Sequence, residues 1–298
     1  MIKSQGLRDV IQLLRPQQYV KNLFVLVGLL FNGNWNADIV LLAVTAFCSF
    51  CLASSAVYVF NDILDVNADR EHPTKRNRPL PRSVMSLSTA RLIALGLALG
   101  AGLLASLISA AAVAIIAVYI GVNLGYSFRM KHVVILDVFV IAFGFMLRIF
   151  MGTTGIGILP SHWLLLCGFM LTLFLGFAKR RAELLVLEQT GITDRQTLRK
   201  VLDDYTPQLI EQFLGVTAAC TIITYSLYTV NPDTVQRFGT SALIFSVPLV
   251  VYGIFRYLFI VHQHGLGNDT SRDLLSDSHL LVTVVVWVSL VVYLVARF

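Results

Sequence analysis

Long apolar runs recur along the whole chain, and they restrict its fold more than any other feature. A helix needs about 20 mostly apolar residues to cross the hydrocarbon core of a bilayer. Nine runs come close to or reach that length, at about residues 19–33, 38–59, 89–108, 111–127, 133–151, 161–178, 209–230, 240–261 and 279–296. Only helices and closed barrels satisfy their backbone in lipid, and the sequence has no alternating ten-residue barrel strands. It therefore predicts an all-α polytopic membrane protein with nine transmembrane helices.

Composition agrees with a lipid environment. Hydrophobic residues make up 56% of the 298 positions and charged residues 13%, whereas a soluble domain carries about a quarter charged residues. No polar stretch is large enough to fold separately, so residues 1–298 are expected to form a single membrane-embedded domain. Residues 1–18 are mildly basic and amphipathic, without a cleavage site, and are predicted to form a cytoplasmic N-terminal segment rather than a removable signal.

The basic residues predict an orientation. With the N-terminus in the cytoplasm, 19 of the 23 Lys and Arg residues fall on the cytoplasmic side, a strong positive-inside asymmetry. We therefore expect an integral protein of the cell (inner) membrane with its C-terminus outside. The pI of about 9.3 follows from this topology and from contact with head groups or phosphates, so no nucleic-acid role is expected. Most acidic residues share the cytoplasmic loops, so chemistry is expected on that face.

The richest polar stretch closes the second apolar run. It reads Tyr58-Val-Phe-Asn61-Asp62-Ile-Leu-Asp65-Val-Asn-Ala-Asp69-Arg70-Glu-His72-Pro-Thr-Lys75-Arg76-Asn-Arg78-Pro79. On a helix Asn61, Asp65 and Asp69 share one face, and Asp62 lies on its flank. Stacked carboxylates repel one another unless cations neutralise them, and oxygen ligands suit Mg²⁺, which completes its shell with water and phosphate oxygens.

Basic residues follow this acidic row. Lys75, Arg76 and Arg78 supply the positive charge that would hold an anion. An acidic row followed by basic residues is what a Mg²⁺-bridged diphosphate requires. The alternative is a solvated helix end whose acids and bases form surface pairs.

The motif NDxxDxxxDR followed by HPxKxxRP resembles the first aspartate-rich motif of the UbiA superfamily of intramembrane prenyltransferases. Residues 15–22, RPQQYVKN, resemble the RPxQWVKN that opens many members. The resemblance covers essentially the whole chain and continues through Tyr126-Ser127, Lys131, Arg148, Lys179-Arg180-Arg181-Ala182-Glu183-Leu184, Tyr205-Thr206 and Arg272-Asp273. It implies a UbiA-like helical bundle with its active site at the cytoplasmic face.

A second motif selects the subfamily. Aromatic prenyltransferases carry a second DxxxD after helix six, but this chain has KRRAEL at 179–184, which is similar to the KRxAEL of decaprenyl-phosphate phosphoribosyltransferases. Arg181 departs from the actinobacterial form, which often has Tyr there. The resemblance implies transfer of 5-phosphoribose from phosphoribosyl pyrophosphate to a polyprenyl phosphate, with release of pyrophosphate, for cell-envelope glycan precursor synthesis.

The resemblance also implies a site. Asn61 and Asp65 would hold the Mg²⁺ cofactor, with Asp62 and Asp69 completing the catalytic set. The implied substrate-binding residues are Lys21, Tyr58, Lys75, Arg78, Tyr126, Lys131, Arg148, Lys179 and Glu183. Lys179 and Glu183, four residues apart, would equally suit a helix-surface pair. No general base is required, because the attacking lipid phosphate is already an anion.

Two other functions stay open. A UbiA-type prenyltransferase would move a prenyl group from a prenyl diphosphate to an aromatic or other acceptor. A lipid or ion transporter would have ionisable residues near the midplane and symmetric halves, whereas the acids here crowd one face. The lipid chain length is not encoded in any motif, and oligomerisation is left open.

Overall fold

The computed structural model describes residues 2–33, 35–71, 75–128, 130–190, 204–264, 273–274 and 276–297. Within these ranges the chain is helical apart from turns and short loops, with no strand, which confirms the all-α prediction. The α-helices are α1 (Ile2–Leu14), α2 (Val27–Leu30), α3 (Ala37–Leu64), α4 (Val66–Glu71), α5 (Leu87–Ser106), α6 (Ala110–Phe128), α7 (Leu136–Met151), α8 (His162–Thr190), α9 (Pro207–Val230), α10 (Pro232–Phe238), α11 (Val247–His264) and α12 (Ser278–Arg297). Short 3₁₀ segments among them are Pro16–Leu26, Lys75–Asn77, Met130–His132, Thr154–Ile156 and Ala242–Ser246.

Eight segments of the described chain are helices long and apolar enough to cross a membrane. They are Ala37–Leu64, Leu87–Ser106, Ala110–Phe128, Leu136–Ile156, His162–Leu185, Pro207–Val230, Ala242–Gln263 and Ser278–Arg297. Each matches one of the predicted runs, but the count of nine is not confirmed. The predicted run without a matching long helix is the first, which forms the 3₁₀ segment Pro16–Leu26 followed by the four-residue α2.

The first run nevertheless extends from one end of the bundle to the other. Arg15, just before it, pairs with Asp62 at the end of α3. Phe31, just after it, packs edge-on against Tyr228 near the end of α9, with ring centroids 5.3 Å apart. A 3₁₀ helix rises about 2.0 Å per residue, against about 1.5 Å in an α-helix. The run therefore covers the bundle with fewer residues than an α-helix would need.

Consecutive long helices run antiparallel, so α3, α6, α8 and α11 end on one face, where α5, α7, α9 and α12 begin. We call this the acid face, because the predicted acidic row lies there. Several helices begin at a side-chain cap: Asn36, Ser86 and Thr206 each accept a hydrogen bond from the backbone N–H three residues on, at 2.8, 3.1 and 3.2 Å. Such caps satisfy N–H groups that lack a partner within the helix.

The two sides of α5 explain how the bundle packs and what surrounds it. Ala101 and Ala105 are fully buried against α3, and the Ser49 hydroxyl donates to the Ala101 carbonyl at 2.8 Å. Leu92 and Leu99, on the outer side, are 71% and 65% exposed. Small residues permit close helix contact in membranes, while an exposed leucine row suits contact with lipid.

Helix α1 packs on the acid face. Leu13 is fully buried in a cluster with Val59 and Leu80, and Arg82 contacts Asp9 at 2.6 Å. The described part of the N-terminal segment therefore lies against the beginning of α5 and the end of α3.

Two glycines fix the first run against α7. A Cβ at Gly28 would lie 1.8 Å from the carbonyl oxygen of Gly152, and a Cβ at Gly152 would lie 1.6 Å from the carbonyl oxygen of Val25. Backbone meets backbone at both positions, so no side chain can move aside to admit a methyl group.

Replacing Gly152 with Ala is expected to lower thermal stability, because forcing atoms into a packed contact typically costs about 1–3 kcal/mol. Thermal unfolding of the purified protein in detergent measures this. Gly215→Ala is the matched control: nothing lies within 4 Å of its added Cβ, and Ala favours a helix by about 1 kcal/mol over Gly. A Gly152→Ala protein that melts at the wild-type temperature would contradict the close contact.

Candidate active site

The acidic row keeps helical spacing across the end of α3. The Asp65 N–H donates to the Asn61 carbonyl at 2.9 Å, and the Asp69 N–H donates to the Asp65 carbonyl at 2.8 Å. Asp65 itself lies between α3 and α4. Although the backbone is nearly continuous, the four side chains divide into two pairs with different partners.

Asp62 and Asp69 form the first pair, which we call the arginine-held pair. Both are 2% exposed, and Nη1 of Arg78 lies 3.0 Å from Asp62 Oδ1 and 2.6 Å from Asp69 Oδ2. The Asp62 carboxylate also pairs with Arg15, whose guanidinium stacks over the Tyr58 ring at 5.2 Å. Two buried carboxylates are tolerated here because arginines neutralise them.

Arg15 adopts an unusual backbone conformation at this point. Its φ of 53° lies in the left-handed region, which is costly for residues with a Cβ. Such outliers concentrate at functional sites, where surrounding contacts hold them. Here the ion pair with Asp62 is the contact that holds Arg15.

Asn61 and Asp65 form the second pair, which we call the open pair. The Ser127 hydroxyl, from the end of α6, donates to Asn61 Oδ1 at 2.5 Å. Lys131 Nζ lies 3.5 Å from Asp65 Oδ1, and the Asp65 side chain is 45% exposed. Asp65 is therefore the accessible carboxylate of the row, and Asn61 is partly exposed.

The predicted row keeps its helical spacing, but its side chains have different partners. Asp69 contacts the same arginine as Asp62. Seven residues are close to two helical turns, so Asp62 and Asp69 also lie near one another, and Arg78 bridges them.

The donor set of the open pair fits Mg²⁺. It offers one carboxylate and one amide oxygen, and Mg²⁺ usually takes one or two protein carboxylates while keeping water and substrate phosphate oxygens as its other ligands. Within the described ranges, no group of three or more His, Cys, Asp or Glu side chains is arranged to hold a metal by itself. Any divalent ion at the open pair would therefore depend on ligands from the substrate.

The acidic row at the end of α3 forms one wall of the site, which we call the α3 wall. A second wall, which we call the α8 wall, comes from α6, α7 and α8. Arg180, fully buried, lies with its Nε 2.6 Å from Asp137 Oδ2. Its Nη1 pairs with Glu183, and its Nη2 donates to the Tyr126 hydroxyl at 3.4 Å. Tyr126 directly precedes Ser127, so this wall adjoins the open pair.

Tyr205 completes this wall just before α9. Its hydroxyl donates to Asp137 Oδ1 at 2.9 Å and accepts from the Ile135 N–H at 2.7 Å. Burial, together with the Asp137 charge, raises the pKa of the Tyr205 phenol above its usual value. The phenol therefore keeps its proton and remains a donor to Asp137 at neutral pH.

Most of the remaining predicted binding residues lie on segments that border these walls. They are Lys21 in the first run, Tyr58 on α3, Lys75 in the 3₁₀ turn after α4 and Lys179 beside Arg180 on α8.

Arg148 lies elsewhere, near the end of α7 that is far from the acid face. It is 5% exposed. Its Nε donates to Asn22 Oδ1 and its Nη1 to the Gly144 carbonyl, both at 2.8 Å. Three rings surround its guanidinium at 4.9–5.1 Å: Phe50, Tyr119 and Phe145. In the described part of the chain no carboxylate contacts Arg148, and the structure does not bring it to the acidic row.

Sequence reasoning left several residues of the site unassigned. Charge inside an apolar run marks Asp137, because intramembrane charges are costly and usually functional. Arg15 belongs to the opening motif, and Ser127, Arg180 and Tyr205 belong to stretches that carry the family resemblance. The resemblance marks these residues without giving them a role.

The all-helical membrane bundle carries an oxygen pair and clustered arginines on one face, an arrangement that suits a membrane-embedded transferase. The chain matches the model of the UbiA prenyltransferase family over residues 22–276, and it belongs to that family. It is therefore an integral membrane enzyme, and the predicted family is confirmed.

Curated relatives cover nearly the whole chain. The decaprenyl-phosphate phosphoribosyltransferase of Corynebacterium glutamicum is 36% identical, over 95% of this chain and 85% of that protein. The protein of the same name from Mycolicibacterium smegmatis is 31% identical, over 94% and 90%. Nodulation protein NoeC of Azorhizobium caulinodans is 26% identical, over 91% and 88%.

Solved structures share the fold. A UbiA homologue from Archaeoglobus fulgidus, bound to GPP and Mg²⁺, matches with a TM-score of 0.73 at 18% identity, over 97% of this chain and 100% of that one. A homologue from Aeropyrum pernix K1 without ligand matches with a TM-score of 0.66 at 15% identity, over 93% and 96%.

Arg78→Met is expected to destabilise the protein by about 2 kcal/mol, because it leaves Asp69 without its arginine and removes one of two from Asp62. Adding Asp69→Asn to Arg78→Met is expected to restore part of the loss, since it removes the unpaired charge. Thermal unfolding of both variants measures these changes.

Arg76→Met provides the control, since Arg76 is exposed in the same 3₁₀ turn and its loss should matter little. A double variant less stable than Arg78→Met alone would exclude Arg78 as the neutralising partner of Asp69.

Proposed function

We propose that this chain transfers 5-phosphoribose from phosphoribosyl pyrophosphate to a polyprenyl phosphate and releases pyrophosphate, for cell-envelope glycan precursors. The observation that best supports the proposal is the chemical difference between the α3 wall and the α8 wall. The α3 wall offers the open pair for a divalent ion, whereas the described α8 wall presents basic groups and Glu183. The similarity to relatives named decaprenyl-phosphate phosphoribosyltransferase, at 31–36% identity over most of the chain, supports the same substrates.

We propose Mg²⁺ as the cofactor, held by Asn61 Oδ1 and an Asp65 carboxylate oxygen. When bound there, it would offset the negative charge that develops on the leaving pyrophosphate. Lys131, 3.5 Å from Asp65, and Arg78 would contact the diphosphate oxygens. Lys75, in the turn just before Arg78, would add a further positive charge.

In this account the arginine-held pair acts indirectly. Asp62 and Asp69 fix Arg78 from two sides, at 3.0 and 2.6 Å. A fixed guanidinium loses little freedom when the diphosphate arrives, which is the advantage of a preorganised charged site. The catalytic role of these two aspartates is therefore to position an arginine.

The reaction needs no proton transfer from the protein. A phosphate oxygen of the lipid attacks C1 of the ribose as the bond from C1 to the pyrophosphate oxygen breaks. Because the nucleophile is already an anion, orientation and electrostatics carry the rate. Lys21, Tyr58, Tyr126 and Lys179 are the proposed contacts to the phosphates and the ribose.

We assign Arg148 a different task. Its Nε and Nη1 are engaged by Asn22 and the Gly144 carbonyl, so it would have to abandon buried partners to reach a phosphate. Its proposed role is to hold the first run against α7 through Asn22.

The assay that tests the function uses purified protein, Mg²⁺, labelled phosphoribosyl pyrophosphate and polyprenyl phosphate. We expect a lipid-linked phosphoribose and free pyrophosphate. Chelation with EDTA should abolish the product, and added Mg²⁺ should restore it.

Other substrates decide between the alternatives. Turnover of a prenyl diphosphate with an aromatic acceptor, and none of phosphoribosyl pyrophosphate, would replace this proposal with prenyl transfer. Transport without turnover of either donor would point to a transporter.

We also propose that the acid face and the N-terminus are cytoplasmic and the C-terminus is outside, in the inner membrane of the cell. The 19 of 23 basic residues on one side support this orientation. Inside-out membrane vesicles should then form product from added phosphoribosyl pyrophosphate, which does not cross membranes. Right-side-out vesicles should need permeabilisation first, and the reverse result would invert the topology.

A further inference from the structure

Arg180 is the centre of a buried network of which the transfer step above uses Tyr126 alone. Each of its three guanidinium nitrogens contacts a different group: Nε lies 2.6 Å from Asp137, Nη1 pairs with Glu183, and Nη2 lies 3.4 Å from the Tyr126 hydroxyl. A planar guanidinium presents separate donors in fixed directions, whereas a lysine ammonium could not reach all three.

The network contains one positive charge, on Arg180, and two negative charges, on Asp137 and Glu183. Arg180 and Asp137 are both fully buried, and each supplies the counter-ion that the other needs in a medium of low dielectric constant. Glu183 is a second carboxylate on the same arginine, and its side chain is 14% exposed. The network therefore has one cation and two carboxylates, and Glu183 is the carboxylate that lies at its accessible edge.

A carboxylate at this position needs a chemical reason. Ionised Glu accepts hydrogen bonds and donates none, and it repels phosphates, which the site is otherwise built to attract. Phosphoribosyl pyrophosphate carries hydrogen-bond donors as the hydroxyl groups of its ribose. A prenyl diphosphate has no hydroxyl group for Glu183 to accept from.

The position of the wall agrees with this pairing. Ser127 donates to Asn61 of the open pair at 2.5 Å, and the adjacent Tyr126 contacts Arg180. In the donor, the hydroxyl-bearing C2 and C3 follow directly on C1, which carries the diphosphate. A diphosphate bound at the open pair would therefore bring these hydroxyls toward the wall that contains Glu183.

We propose, on the basis of the phosphoribosyl transfer proposed above, that Glu183 binds the ribose hydroxyls and so selects a sugar over a prenyl donor. Arg180 and Asp137 are positioning residues that orient Glu183. Tyr205 supports them, because its hydroxyl donates to Asp137 at 2.9 Å and is itself fixed by the Ile135 N–H at 2.7 Å.

The test compares donors with and without hydroxyls. Calorimetry in the presence of Mg²⁺ measures the binding of phosphoribosyl pyrophosphate, pyrophosphate and geranyl diphosphate. Glu183→Gln should weaken phosphoribosyl pyrophosphate roughly tenfold, because hydrogen bonds to a charged group are stronger than neutral ones. Binding of pyrophosphate and geranyl diphosphate should be unchanged or tighter.

Two further variants complete the design. Asp137→Asn preserves the side-chain shape but removes the charge that fixes Arg180, so it should cause the same selective loss. Glu211→Gln is the matched control: Glu211 is a carboxylate of the acid face paired with Arg181 and His262, and it should leave all three affinities unchanged.

The possible results of these binding measurements distinguish the role of Glu183 from the proposed function. Glu183→Gln with wild-type affinity for phosphoribosyl pyrophosphate would overturn the role of Glu183, even if the wild type makes the expected product. An equal loss for all three ligands would also overturn it, because a structural role would explain that result. A wild type that binds pyrophosphate but not phosphoribosyl pyrophosphate would overturn the proposed function and this assignment together.

Discussion

Repulsion among carboxylates at the end of α3 is the constraint on which the rest of the site depends. Asp62 and Asp69 are almost completely buried, and burying such charges without partners would cost several kcal/mol. Arg78 lies between them and Arg15 adds a second cation. These ion pairs connect the end of α3 to Arg78 and to the beginning of the first run. Among the described residues no arginine pairs with Asn61 or Asp65, so these two side chains remain for other ligands.

The α3 wall and the α8 wall present different chemical groups to the site. The α3 wall carries oxygens that suit a divalent ion and arginines that suit an anion. The α8 wall is built on Arg180, which pairs with Asp137 deep in the bundle and with Glu183 at the accessible edge. This division explains how a single bundle could bind a ligand with a strongly anionic end and a hydroxyl-bearing end.

Much of this arrangement could be predicted from the sequence, and the limits have physical causes. Apolar length predicted nine spans, of which eight are long apolar helices in the described chain, and the acidic row predicted a site beside the end of α3. Which acids pair could not be predicted, because Arg78 reaches them through a loop whose conformation has no periodic signal. The 3₁₀ form of the first run and its backbone contact with α7 at Gly28 and Gly152 were also missed, because neither has a periodic signal in the sequence. Asp137, a charged residue inside an apolar run, belongs to the Arg180 network, whereas Arg148, in the same run, contacts aromatic faces and an amide.

Electron paramagnetic resonance of Mn²⁺, which takes the same oxygen ligands as Mg²⁺, tests most directly whether the open pair holds the metal and the arginine-held pair does not. With phosphoribosyl pyrophosphate present, the wild type and Asp69→Asn should both broaden the Mn²⁺ spectrum beyond that of the Mn²⁺–phosphoribosyl pyrophosphate complex in solution, because Asp69 holds an arginine rather than the metal. Asp65→Asn should leave the spectrum of the solution complex unchanged. Mn²⁺ binding by Asp65→Asn that equals the wild type would contradict the assignment of the metal to the open pair.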